Sequence, residues 1–226
     1  MRKYVFLLFL LLLSCVHEDD NESPYRWHKD ITATIFWIGE EGDSTNGYID
    51  NHSSVWDDCW VEHYGGVDSP DERNGYMPSN FVPHENPFYC ALPYNDFDLT
   101  GHRKKDALSI IPWADGKLPA DTVSMCKNRW VEISYNGKSV FAQWEDAGPF
   151  GEDDYEYVFG NSRPKNPVND SAGIDVSPAV RDFLGLSGMD KVNWRFVDEE
   201  DVPSGPWLNI VTRSNICWNK EKGGKR

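Results

Sequence analysis

The sequence is short of several features, and each shortage excludes a class of function. Positive charge is scarce: 22 Lys and Arg stand against 37 Asp and Glu, a formal charge of −15. The clustered basic side chains that neutralise a phosphate backbone are therefore missing, which excludes nucleic acid as a partner. Long apolar runs are lacking too. The longest, from Tyr4 to Leu13, cannot comfortably cross a hydrocarbon core that takes roughly 17 to 25 residues. No C-x-x-C or H-x-x-x-H spacing occurs, His52, His63, His84 and His102 are scattered, no G-x-S-x-G elbow surrounds Ser177, and no glycine-rich phosphate loop is found. Neither a metal nor another cofactor is expected.

What is present describes a folded chain. Apolar residues make up 39% of the 226, aromatics 14%, and there are ten tryptophans, too much apolar surface for a disordered acidic chain. Eighteen glycines and 14 prolines point to one compact, loop-rich, acidic domain.

Arg2 and Lys3 precede the run Tyr4–Leu13, and Ser14 and Cys15 follow it, the charged and apolar regions of a secretory signal. Leu12-Leu13-Ser14-Cys15 resembles a bacterial lipobox, in which the cysteine is lipidated and becomes the mature N-terminus. Residues 1–14 are thus expected to be a lipoprotein signal peptide and 15–30 a flexible polar tether to the membrane. Val16, rather than Asp, after Cys15 leans towards an outer-membrane or cell-surface location. Cleavage there removes two basic residues and leaves 20 against 37 acids, a charge of −17. In an oxidising compartment the remaining Cys59, Cys90, Cys126 and Cys217 are candidates for two disulfides, with three connectivities open.

Local patterns give mostly strands. Ile31–Ile38 is β-branched and aromatic and breaks at Gly39; Phe88–Leu92 is a short strand stopped by Pro93. Trp130–Tyr135, Asn136-Gly137 and Lys138–Glu145 form a hairpin signature, because Asn-Gly readily takes the positive φ values of a type I′ turn. Apolar residues on both faces of its second arm suit a barrel wall. Ser177 can cap a helix with Pro178 at its first position, an apolar stripe of Val180, Phe183 and Leu184, and a stop at Gly185. Lys191–Val197 alternates as a further strand, and Trp207–Thr212 reads as an added one. The expected fold class is all-β, a six-stranded barrel with one or two short helices and long loop insertions. The barrel domain is placed at 31–198, with insertions at 40–87 and 151–172 and an extension at 199–226. The aromatics of the first insertion, Trp56, Trp60, Tyr64 and Tyr76, either pack it onto the barrel or stack on a ligand.

Two blocks carry a family resemblance: Asn136-Gly-Lys-Ser-Val-Phe-Ala-Gln-Trp-Glu-Asp-Ala-Gly-Pro-Phe150, and Gly173-Ile-Asp-Val-Ser-Pro-Ala-Val-Arg-Asp-Phe-Leu-Gly185. In order and spacing they resemble the double-psi β-barrel of the rare lipoprotein A family, a fold to which expansins and the catalytic barrels of some lytic transglycosylases are similar. Two departures are visible. Ala147 stands where the family has Arg, and the family's short link between the blocks is replaced by residues 151–172, which include Tyr155, Tyr157 and Phe159.

The resemblance implies a cell-wall polysaccharide as partner. Asp175 matches the family's catalytic acid, with Asp146 as positioning group or second carboxylate, and Trp144, Phe150, Tyr155 and Trp56 are candidate substrate-binding aromatics. Breaking a glycosidic bond needs a carboxylic acid to protonate the leaving oxygen. Asp175 also lies just before a helix, whose N-terminus favours the anion, so burial must outweigh the helix if Asp175 is an acid. Three readings stay open: a lytic enzyme, a polysaccharide-binding module of expansin type, and a purely structural role in which Asp146 satisfies backbone donors and Asp175 braces the helix start.

Overall fold

The computed structural model describes residues 23–44 and 46–218; the signal segment and Cys15 lie outside them. In chain order the elements are β1 (His28–Ile35), α1 (Trp60–Tyr64), β2 (Arg73–Asn74), β3 (Met77–Pro78), β4 (Tyr89–Ala91), α2 (Ala107–Ile110), β5 (Arg129–Tyr135), β6 (Lys138–Asp146), α3 (Tyr155–Val158), β7 (Ile174–Val176), α4 (Pro178–Leu184) and β8 (Asp190–Val197). Six strands close into a barrel in the order β1-β7-β4-β6-β5-β8, the all-β, six-stranded architecture expected from the sequence. The pairs β1–β7 and β4–β6 are parallel and the other four antiparallel. Among the described residues no helix is long and apolar enough to cross a membrane.

The strongest local signals form as expected. Asn136 and Gly137 take φ values of 47° and 77°, and the turn they make sets an unbroken register from Tyr135↔Lys138 to Arg129↔Trp144. Ser177 caps α4 by accepting from the Val180 amide at 3.3 Å, Pro178 opens the helix, and Gly185 ends it at φ 77°. The same hydroxyl donates to the Pro87 carbonyl at 2.7 Å, so the start of α4 is tied to the chain entering β4.

The insertion between β1 and β4 is folded by its own aromatics. Phe36, Ile38, Trp60, Tyr64, Tyr89 and Ala91 make a second apolar cluster beside the main barrel core, and Tyr89 meets Phe36, Trp60 and Tyr64 edge-on. The Tyr89 hydroxyl donates to Asp68 at 2.8 Å and accepts from the Ile38 amide at 3.1 Å, while Arg73 pairs with the same buried Asp68. The short helix α1 was not legible in the sequence: no side chain caps its N-terminus, and five residues with one buried pair, Trp60 and Tyr64, are too few to show a period, although Gly65 ends it at φ 107°.

Three expectations are corrected. The tether does not extend to residue 30: His28 stacks on Trp194 with ring centres 4.0 Å apart, and Tyr25 packs edge-on against Trp113 and Phe196. These polar-looking residues are held by aromatic faces that polarity counts do not register. Trp207–Thr212 is not a strand. Residues Pro206–Leu208 form a 3₁₀ turn that seats Trp207 against Phe88, Phe141 and Phe183. Beyond it the Gln143 side chain replaces a partner strand: the Thr212 amide donates to its Oε1 at 2.8 Å, and its Nε2 donates to the Thr212 carbonyl at 3.0 Å. The disulfides are also absent, for Cys59, Cys90, Cys126 and Cys217 are all free thiols. Cys90 and Cys126 sit in the apolar core, where burial pushes both thiols well above their ordinary range.

Removing the Ser177 hydroxyl deletes the helix cap and leaves the buried Pro87 carbonyl short of a donor. Ser177→Ala is expected to lower stability by about 1–3 kcal/mol, seen as a lower urea midpoint with an unchanged denaturant slope.

Candidate active-site groove

The barrel's pairing pattern sets four residues in one row. Thr34 of β1 is in register with Asp175 of β7, Asp175 with Ala91 of β4, and Ala91 with Asp146 at the end of β6. At a strand spacing of about 4.8 Å, Asp175 and Asp146 have their backbones roughly 10 Å apart. Only the Ala91 methyl stands between them. Gly148 arches over this gap so closely that a Cβ on it would meet Asp175 Oδ2 at 3.0 Å and the Ala91 Cβ at 3.6 Å, which keeps the space open only while position 148 has no side chain.

Both aspartates line an open groove of about 740 Å³ between the barrel and the insertion that follows β1. Asp146 is held on one side: the Val55 amide donates to its Oδ1 at 2.8 Å, which pins the insertion to the barrel. Asp175 accepts a short hydrogen bond from the Thr34 hydroxyl and keeps partial contact with the groove. Burial pushes Asp175 up from 3.8 to about 7, against the pull of the Thr34 hydroxyl and with a contribution from the Glu40 charge. Burial likewise lifts Asp146 to about 7, opposed by the Val55 and Ala147 amides and reinforced by Glu152 and Asp175. Desolvation thus outweighs the Thr34 hydrogen bond at Asp175 and the backbone amides at Asp146. Near neutral pH each carboxyl is poised between acid and base, the condition a proton-transfer catalyst needs.

The groove is acidic throughout. Glu40, Asp50, Asp58, Asp146, Glu152 and Asp175 line it, and among the described residues no Lys or Arg does. Glu40 was not singled out from the sequence; it is buried, raised by burial, and held by the Asn51 side chain at 2.8 Å. Nothing in the local pattern marked it, because it follows the tight turn at Gly39 and reaches the site only through the folding of the insertion.

The aromatic candidates divide. Phe150, 43% exposed, lines the groove. Trp37 lines it too, half-buried, although the sequence marked it only as part of a strand. Trp144 and Trp56 are corrected: both are fully buried and present no ring face to a ligand. They form the shelf beneath the site instead. Trp144 Nε1 donates to the Asp146 carbonyl at 2.7 Å, Trp56 Nε1 donates to Asn95 Oδ1 at 3.1 Å, and the two rings meet edge-on at 5.7 Å. Tyr155 is corrected as well. It begins α3, packs against the barrel core under Lys165 and does not line the groove.

The raised aspartates couple stability to pH. At these two positions the folded state holds protons that the unfolded chain releases near 3.8, so their contribution to stability is greatest below that value and declines as pH climbs towards about 7. Asp175→Asn removes one of these groups. The variant is expected to melt higher than the parent at about pH 8, by a margin on the order of 2 kcal/mol, and to match it near pH 4, as read by thermal unfolding followed with circular dichroism.

No protein-family model matches the chain, and the curated proteins contain no match. Among solved structures the fold is similar to that of the Streptomyces papain inhibitor, at 16% identity and a TM-score of 0.31, with 76% of this chain and 96% of that chain covered.

Proposed function

We propose that the groove takes up a cell-wall glycan strand and that Asp175 cleaves it as general acid and base, in the manner of the lytic transglycosylases of the rare lipoprotein A-like barrel that the two sequence blocks resemble. The single observation that carries this reading is the pair of groove carboxyls on either side of Ala91, both raised to about 7. Protonated Asp175 gives its proton to the leaving glycosidic oxygen as the bond to the anomeric carbon breaks. Its carboxylate then takes the proton of the same sugar's 6-hydroxyl, whose oxygen bonds to the anomeric carbon and closes an anhydro ring. Asp146, fixed by the Val55 amide, bounds the groove on the far side of Ala91 and supplies negative charge near the developing oxocarbenium ion. Phe150 and Trp37 offer apolar faces to sugar rings. A groove lined by six acids and, among the described residues, by no Lys or Arg suits an uncharged stretch of glycan, recognised at short range.

A second reading, a binding module of expansin type, is favoured by one observation: one oxygen of each carboxyl is already occupied within the protein, by Thr34 and by Val55. Here the groove grips polysaccharide without bond cleavage.

The chain, incubated with purified peptidoglycan and separately with cellulose and chitin, distinguishes the two by mass spectrometry of released material. Anhydro-ended fragments that disappear in Asp175→Asn are the expected result. Retention on the polymer without fragments establishes the module, and neither retention nor fragments sinks both readings. We also propose that Cys15 anchors the protein to the cell envelope through lipid. Palmitate labelling is expected in the parent and absent in Cys15→Ser; equal labelling of both overturns the anchor.

A further inference from the structure

On the other side of the insertion the chain assembles a set of ligating atoms that its sequence keeps 160 positions apart (57 to 217). Asp57, His63 and Cys217 present a carboxylate oxygen, an imidazole nitrogen and a thiol sulfur that all lie within 4.8 Å of one another. The backbone fixes this meeting. The Cys217 amide donates to the Trp56 carbonyl, and the Asp58 amide donates to the Cys217 carbonyl, each at 2.9 Å. Asp57 is fully buried, with the Cys59 amide on Oδ1 at 2.8 Å and His63 Nδ1 against Oδ2 at 2.6 Å. Its partners are free to adjust, since His63 is 43% exposed on its side chain and Cys217 is exposed.

The surroundings favour a cation. His63 and Cys217 open onto a cavity of about 490 Å³ that Glu85 also lines. Glu85 is buried, and although its Oε1 accepts from Ser214 at 2.6 Å, its Oε2 has no hydrogen-bond partner among the described residues. The neighbouring buried Lys127 is already committed to Glu145 at 2.6 Å, and Arg213 at the cavity wall pairs with Glu199. Lys127 acts on Asp57 and Glu85 only at longer range, so among the described residues the Glu85 Oε2 stays without a direct partner, and an unsatisfied buried carboxylate oxygen is costly.

We propose that Asp57, His63 and Cys217 bind a divalent transition cation of the zinc type. Thiolate, imidazole and carboxylate together suit zinc in preference to magnesium or calcium, and three protein ligands leave one coordination position open towards the Glu85 cavity. Tetrahedral binding brings ligand atoms to roughly 3.3–3.8 Å of one another, given bond lengths of about 2.0–2.3 Å. Small rotations of His63 and Cys217 meet that requirement, and the His63–Asp57 hydrogen bond gives way to two metal bonds. Binding releases the Cys217 proton. The bound ion would clamp the segment after Thr212 to α1 and the loop before it. The site is separate from the groove, so it stands or falls independently of the glycan reading.

Titration of the full-length chain, solubilised in detergent with its thiols reduced, with Co²⁺ alone tests this directly. One equivalent is expected to produce a near-ultraviolet thiolate-to-cobalt charge-transfer band together with visible bands of tetrahedral intensity, all displaced by Zn²⁺. Cys217→Ser is expected to lose the charge-transfer band, His63→Ala to bind at least about tenfold more weakly, and Cys59→Ser to keep the band. Circular dichroism of each variant checks that it is folded. Absence of the band at saturating Co²⁺, or a band unchanged in folded Cys217→Ser, overturns the site.

Discussion

Ala91 stands in register with two strands at once, antiparallel to β7 and parallel to β6. That double pairing of the three-residue β4 is the constraint on which the rest depends. It closes the barrel and puts Asp175 and Asp146 in one row, with only a methyl group between them. Because β4 is so short, its position is secured from outside: Ser177 ties its entry to α4, Tyr89 anchors the insertion through Asp68, and the Leu92 amide bonds the Asp146 carbonyl at 3.3 Å. Loosening any of these ties shifts the two carboxyls relative to one another.

The acidity of the chain takes different forms in different places. In the groove, buried acids without cationic partners are raised towards neutrality, so their protons become available for transfer. Elsewhere the same residue types face a cation, as with Asp68 and Arg73, Asp96 and Arg103, or Glu145 and Lys127, yet burial still raises Asp68 and lifts Glu145 to about 7. Breaking such a buried pair leaves one charge uncompensated. The insertion after β1 serves both ends: its Val55 amide and Glu40 build the groove, while its Asp57 and His63 face the segment that returns at Cys217.

Where a residue's role was decided within a few positions, the sequence was legible. The Asn136-Gly137 turn, the Ser177-Pro178 helix start and the strand runs follow from backbone preference and period, and the two aspartates came from motif order. The aromatics were read less well, since Trp56 and Trp144 look no different in sequence from Phe150 and Trp37. Exposure depends on which face of a closed wall a ring meets, and that is set by pairing, not by composition. The same holds for His28 and Tyr25, which polarity assigned to a tether and ring packing assigned to the domain. The cysteines point the same way: an even count suggested bridges, but Cys90 and Cys126 ended as separate buried thiols and Cys217 beside a histidine and an aspartate.

The sequence by itself determined the strand-rich character, the central hairpin and the capped helix, and its two motif blocks pointed to the two aspartates through a family resemblance. The strands, hairpin and helix are matters of local sterics and hydrogen-bond capping, which short stretches of chain carry in full. Only the tertiary structure decided that Asp175 and Asp146 share a groove, that desolvation lifts both towards neutrality, that Trp144 supports the site from beneath, and that positions 57, 63 and 217 meet. Desolvation and proximity are properties of what surrounds a group. Those surroundings come from segments far apart in the chain, Thr34 lying 141 positions from Asp175 and Val55 91 from Asp146, and only the folded chain brings them together.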